Sequence, residues 1–192
     1  MTIGRVRASS RSETPVTERL GVGATSQPQV GGVVDGEAVS LRLGYIGPDF
    51  ARFAIRNRHS EPAEPSHVDV LGEKFVAVPV TAHYQFTIEG PGDIRMELSG
   101  SLRGHAAAVD VQARHTERGL TLELRNNGPH EVVLDLRALA HSEHEKRIRV
   151  AAGGAVPLIW PAPHGHYDLE VTAAEDETFH RRIVGEAEPG VA

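Results

Sequence analysis

From Val39 onward the chain is built of short runs in which apolar and polar residues alternate, and no window longer than about ten residues carries an apolar stripe at helical spacing. In Val39-Ser40-Leu41-Arg42-Leu43 and Phe53-Ala54-Ile55-Arg56-Asn57 successive side chains point to opposite faces, the period-two signature of a half-buried strand. Further runs cover residues 74–80, 84–89 and 94–98, separated by the Gly, Pro, Asp and Asn that punctuate antiparallel sheets. After Gly104 the rhythm begins again, over 109–114, 120–125, 132–136, 147–150, 156–160, 167–172 and 179–184. Seven short strands fit a sandwich. The one place where a helical turn is expected lies around residues 138–146.

The two halves resemble each other. Ala54-Ile55-Arg56-Asn57 answers Glu123-Leu124-Arg125-Asn126, each a strand ending in Asn. Tyr84-Gln85-Phe86-Thr87-Ile88 answers Tyr167-Asp168-Leu169-Glu170-Val171, and the strand that follows each closes on a glycine, Gly100 or Gly185. The pattern therefore predicts an all-β chain of two tandem small antiparallel β-sandwiches, immunoglobulin-like, at 37–103 and 108–188, the first copy shorter and more degraded. Residues 1–36 are rich in Ser, Thr, Gly, Arg and Pro without sustained alternation, so they are expected to form a flexible tail or linker. Arg5, Arg7, Arg11 and Arg19 give that tail local positive charge.

Composition narrows the function classes. A net charge of −6, from 26 acidic and 20 basic side chains in 192 residues, argues against a nucleic-acid partner, which requires a dense basic face. Cysteine is absent, which removes disulfides, thiolate catalysis and Cys-based zinc sites together. No apolar run approaches the roughly 20 residues of a membrane-spanning helix, and residues 1–36 hold no hydrophobic block of the signal-peptide kind. Localisation stays open on these grounds. There is no Gly-x-Ser-x-Gly and no glycine-rich loop before a helix. The acidic pairs Glu175 with Asp176 and Asp168 with Glu170 read as a hairpin turn and as solvent-facing strand positions.

Eleven histidines are many for this length, and His141 and His144 beside Glu143 and Glu145, with His164 and His166 on a Pro-Gly loop, are the only groups that suggest a metal. Their spacing matches no known ligand set. His141, His144 and His164 are therefore weak candidates, solvated loop histidines are the preferred reading, and neither metal nor cofactor is expected. Trp160 ends an apolar strand and is either an exposed aromatic platform or a plug across the mouth of the core. Tyr167 has the same two readings. Arg181 and Arg182, with Arg147 and Arg149, could form a cationic strip toward lipid headgroups or an acidic partner, or pair across strands with Glu123, Glu170 or Asp168.

Four segments of the second half carry a family resemblance: Leu124-Arg125-Asn126-Asn127-Gly128, then Ala152-Gly153-Gly154-Ala155-Val156-Pro157-Leu158-Ile159-Trp160, Gly165-His166-Tyr167-Asp168-Leu169-Glu170-Val171-Thr172, and Phe179-His180-Arg181-Arg182-Ile183-Val184-Gly185. Together they resemble the C-terminal domain of bacterial phosphocholine-preferring phospholipases C. In that family a large metal-assisted hydrolase domain is followed by two such β domains in tandem. In the first copy, Ile88-Glu89-Gly90-Pro91-Gly92-Asp93 stands where the family has a Gly-Pro-Asn-Gly turn, and the following strand has become Arg95-Met96-Glu97-Leu98. The resemblance implies no catalytic residues in this sequence, since the hydrolase machinery lies upstream, and the chain is expected to be a separated C-terminal fragment, the product of a misassigned start within a longer gene, or a stand-alone descendant. It implies a noncatalytic pair whose partner is a phospholipase catalytic domain or a lipid surface, with Trp160, Tyr167, Arg181 and Arg182 as contact residues. The family is generally exported as full-length enzyme, which the resemblance does not carry over to this sequence. Rival readings are a carbohydrate- or protein-binding sandwich and a metal-dependent phosphoesterase in its own right.

Overall fold

A computed structural model describes residues 27–59, 64–116 and 119–186. The arginines at 5, 7, 11 and 19 lie outside the described residues. The elements in chain order are β1 (Gln27–Asp35), β2 (Ala38–Ile46), β3 (Ala51–Asn57), β4 (Ser66–Val70), β5 (Gly72–Pro79), β6 (His83–Glu89) and β7 (Arg95–Ser101), followed by β8 (Val109–Thr116), β9 (Gly119–Asn126), β10 (Val132–Ala140), β11 (Glu145–Val150), β12 (Ala155–Trp160), a single 3-10 turn at Pro163–Gly165, β13 (His166–Ala173) and β14 (Asp176–Glu186). They form two antiparallel sheets, six strands in the order β12-β9-β8-β1-β2-β5 and eight in the order β11-β10-β13-β14-β7-β6-β3-β4. Side chains alternate buried and part-exposed along β7 and β9. The buried set, including Leu41, Phe53, Phe86, Leu122, Leu136 and Ile183, makes one continuous cluster between the sheets. The chain is an all-β sandwich.

Each half contributes seven strands in one plan. β1, β2 and β5 join one sheet and β3, β4, β6 and β7 the other; β8, β9 and β12, with β10, β11, β13 and β14, repeat this. The halves meet where β1 pairs with β8 and β7 pairs with β14. In the second seam Glu97 faces Arg182, flanked by Ser99 opposite His180 and Arg95 opposite Val184. Ser99 and Val184 each precede the closing glycine of their repeat, so the seam is related to itself by a local twofold axis, the self-complementary arrangement of an isologous dimer. Two tandem sandwiches were expected from sequence; the repeats instead share both sheets. An open sandwich repeat leaves its terminal strands' N–H and C=O groups unpaired. Here β1, β8, β7 and β14 cover one another. The edges that remain carry blunting residues, Pro79 on β5, Pro157 on β12, and Lys146, Arg147 and Arg149 on β11.

Both repeats are marked by a tyrosine facing a glycine across the last hairpin, Tyr84 opposite Gly100 and Tyr167 opposite Gly185. Each phenol lies over its glycine so closely that a β-carbon at Gly100 or Gly185 would come within 2.5 Å of the hydroxyl oxygen.

Four sequence expectations change. Residues 27–35, assigned to the tail, form β1 and open the first sheet. Residues 66–70 form an edge strand not anticipated from the pattern. The helical turn expected over 138–146 is instead the tight connection between β10 and β11, closed by the Ala138 N–H donating to the His144 carbonyl at 2.9 Å with His141 at φ 68°. Asn57 and Asn126 are not equivalent, because β3 lies in the eight-stranded sheet and β9 in the six-stranded one.

Candidate functional site

Three of the four expected contact residues are interior. Trp160 is 1% exposed at the end of β12, with the His144 ring edge-on at 4.9 Å. Tyr167 is buried on β13 and its hydroxyl hydrogen-bonds His115 Nε2, the two rings meeting edge to face. Arg181 is 0% exposed. Its Nη1 donates to the Ser99 and His180 carbonyls at 2.7 and 2.9 Å and its Nη2 to the Tyr84 hydroxyl at 2.8 Å, with the guanidinium over the Phe179 ring. Burial removes Trp160, Tyr167 and Arg181 from any surface contact. Only Arg182 reaches the outside, where it forms a two-point pair with Asp168 at 2.9 and 2.8 Å.

The cationic strip is neutralised by its neighbours. Arg147 pairs with Asp135 and Arg149 with Glu131, both in the open. Such exposed pairs contribute about 0–1 kcal/mol each and leave little free charge.

The histidines are also dispersed. His141 lies beside His166, ring centres 5.5 Å apart. His144 packs on Trp160, and His164 sits in the Pro163–Gly165 turn at φ 55°. Among the described residues no group of three or more His, Asp or Glu side chains is placed to hold a metal ion.

His115 is the histidine with a structural consequence. Burial holds its imidazole neutral and pushes its pKa down to about 4, and the same burial pushes the Tyr167 phenol up. The unfolded chain takes up a proton at this residue near pH 6.5 while the folded chain resists until about pH 4. Stability should therefore fall as pH drops through that window, by up to about 3 kcal/mol from this group. Thermal melts at pH 7 and pH 4.5 check this: His115→Phe should flatten the difference, and an unchanged pH dependence would contradict the assignment.

One polar centre escapes a reading by alternation. On the outer face of the six-stranded sheet, Asp110 and Gln112 of β8 are both only 5% exposed. Asp110 accepts hydrogen bonds from Gln112 Nε2 at 2.6 Å and from the Gly32 N–H at 3.2 Å, and Arg42 Nη1 reaches Gln112 Oε1 at 2.8 Å. Gly31 of β1 makes room: a β-carbon there would come 3.1 Å from both Asp110 and Gln112. Burial pushes the Asp110 carboxyl up, while the Gln112 hydrogen bond and the charges of Arg42 and Arg181 pull it back. A shallow hollow lies beside it, lined by Arg42, Phe75, Arg125 and Asn127. Arg42 covers the Phe75 ring at 4.9 Å, so the hollow presents guanidinium rather than an open aromatic face. The centre ties β1, β2 and β8 together across the seam between the repeats.

Residues 105–186 match the family described as bacterial phospholipase C, C-terminal domain. That segment of the chain is what resembles the family. No curated protein matches the chain. The matched segment contains β8 through β14, a complete seven-strand repeat. The matched segment is thus the repeat that carries Tyr167, Gly185, Arg181 and Asp110. Its side of the seam supplies the buried carboxylate and the buried cation, while the first half supplies the glycines and the tyrosine that receive them.

Proposed function

We propose that the chain is a noncatalytic accessory module that supports a phospholipase C hydrolase domain acting on phosphocholine lipids and aids that domain's contact with lipid surfaces. The observation that carries this reading is the family match over 105–186, together with the first half's use of the same seven-strand plan. The occupation of the reactive side chains is consistent with it. His115 is bound to Tyr167, His144 packs on Trp160, and Arg181 is enclosed by Tyr84 and Phe179. The carbohydrate-binding alternative rested on an exposed Trp160, which is 1% exposed.

The test is to add the purified chain to a bacterial phospholipase C hydrolase domain lacking its own C-terminal region. Turnover of phosphatidylcholine in vesicles should rise several-fold, while turnover of a soluble phosphocholine ester stays unchanged. No effect on vesicle substrate at saturating chain would reject the proposal.

A further inference from the structure

The register of the first repeat gathers three exposed apolar side chains at one tip of the sandwich. Tyr45 pairs with Gly72 and Ala51 pairs with Val70. Leu71, the residue between β4 and β5, therefore lies beside both Ile46 at the end of β2 and Phe50 just before β3. These side chains are 59% (Ile46), 62% (Phe50) and 69% (Leu71) exposed, the largest values among the exposed large hydrophobic residues. Isolated exposed leucines are ordinary, but three large apolar groups on two adjoining connections form a patch that requires an explanation.

Internal duplication shows that the fold does not demand them. The end of β2 and its connection to β3 read Ile46-Gly47-Pro48-Asp49-Phe50, and their counterpart between β9 and β10 reads Asn127-Gly128-Pro129-His130-Glu131. The Gly-Pro turn is common to both, so Ile46 corresponds to Asn127 and Phe50 to Glu131. Leu71 follows Val70 as Ala151 follows Val150 at the matching strand end. The second repeat builds the same tip with polar or small residues. The apolar set is thus a property of the first repeat alone.

Two features select the occupant. A stable protein partner buries about 800 Å² on each side, whereas three side chains offer about a few hundred Å² at most. Insertion into an interface needs no matching surface, only apolar groups that can leave water. The nearby charges are Asp49, Arg52, Asp69, Glu73 and Lys74; Arg52 is paired with Asp69 at 2.8 Å and Glu73 lies 3.4 Å from Arg42. Among the described residues no cluster of unpaired positive charge lies beside the tip, and the chain as a whole carries −6. The described residues of the tip thus offer apolar surface rather than a cationic patch for anionic headgroups.

We propose that Ile46, Phe50 and Leu71 form a lipid-insertion tip that enters the interfacial layer of a zwitterionic, phosphatidylcholine-type surface. This rests on the reading of the chain as an accessory to a lipid hydrolase and names the surface through which it acts. The test uses the intact chain alone, so it can fail while the hydrolase assay succeeds. In sedimentation with phosphatidylcholine vesicles the wild type should partition. The triple variant Ile46→Ser, Phe50→Ser, Leu71→Ser should lose at least about a hundredfold in partition coefficient, as expected for withdrawing three apolar side chains. Added phosphatidylglycerol or salt should change the wild-type result less than twofold. The matching substitutions Asn127→Ser, Glu131→Ser and Ala151→Ser should leave binding intact. A second readout is Phe50→Trp, whose added fluorescence should shift to the blue on vesicle addition. Absence of wild-type partition, retention of binding by the triple variant, dependence on anionic lipid, or an unshifted Phe50→Trp emission would each overturn the proposal. If the triple variant instead loses binding to an isolated hydrolase domain while the wild type ignores vesicles, the tip is a protein contact and the lipid assignment falls.

Discussion

Arg181→Ala should destabilise the protein by about 3–5 kcal/mol, whereas Arg181→Met should stay within about 1.5 kcal/mol of the wild type. The guanidinium is fully enclosed, holds the Ser99 carbonyl and the Tyr84 hydroxyl, and lies between the Phe179 and Tyr84 rings at 4.2 and 5.5 Å. Both substitutions remove the donor to the Ser99 carbonyl and the Tyr84 hydroxyl, but only alanine opens a cavity as well. Methionine fills the space and removes a buried cation whose Nε has no hydrogen-bond partner. The first repeat already uses this solution: Met96 stands four residues before Gly100, as Arg181 stands four before Gly185, and it is equally buried. Loss of the cation should also raise the Asp110 carboxyl further, since Arg181 is one of the charges that pull it down. Urea denaturation of the two variants decides the matter. Equal damage from Met and Ala would show that the charge itself holds the two repeats together.

Gly185→Ala and Gly100→Ala should each cost about 2–3 kcal/mol, because a β-carbon at either site would meet a phenol that has nowhere to go. The closest approaches are 2.5 Å to the Tyr167 hydroxyl and 2.5 Å to the Tyr84 hydroxyl. Neither ring can swing aside: Tyr167 is held by His115 and Tyr84 by Arg181. Combining Gly185→Ala with Tyr167→Phe removes the nearest atom, so the double variant should be less damaged than the two single effects added together. Matching losses at Gly100 and Gly185 in thermal melts would support the equivalence of the repeats. Strict additivity, or a neutral Gly100→Ala, would contradict it.

Most strands were legible because their alternation is strong. β9, with Leu120, Leu122 and Leu124 inward, and β13, with Tyr167, Leu169 and Val171 inward, follow period two closely. β1 was not, for a physical reason located at the seam. A side chain at Gly32 would come 2.8 Å from Leu98 and one at Gly31 3.1 Å from Asp110, so the strand that joins the repeats must carry two glycines where a pattern search looks for apolar residues. With those glycines in it the pattern reads as a tail to residue 36 and leaves the repeats as separate sandwiches. β4 failed differently: it pairs only with β3, and Ser66, His67 and Asp69 face solvent.

The candidate contact residues were misplaced by residue type. Residue type groups Arg181 with Arg182, whereas alternation through Phe179, Arg181 and Ile183 sets Arg181 on the inner face. The burial of Trp160 is the outcome that a sandwich mouth favours. Asp110 and Gln112 could not be singled out, since polar residues on the outer face of a strand ordinarily meet water. Only the neighbouring glycines of β1, on a strand not recognised, bring them under cover. The apolar tip was hidden for the same reason, because Leu71 becomes a neighbour of Ile46 and Phe50 only once β4 is in place.

The most direct test of the accessory assignment is phosphodiesterase activity of the purified chain alone on a soluble phosphocholine ester, with and without added zinc, calcium or magnesium, beside a full-length bacterial phospholipase C. The account predicts no turnover above background under any of these conditions while the full-length enzyme is active. Metal-dependent turnover that disappears in His141→Ala or His144→Ala would contradict it.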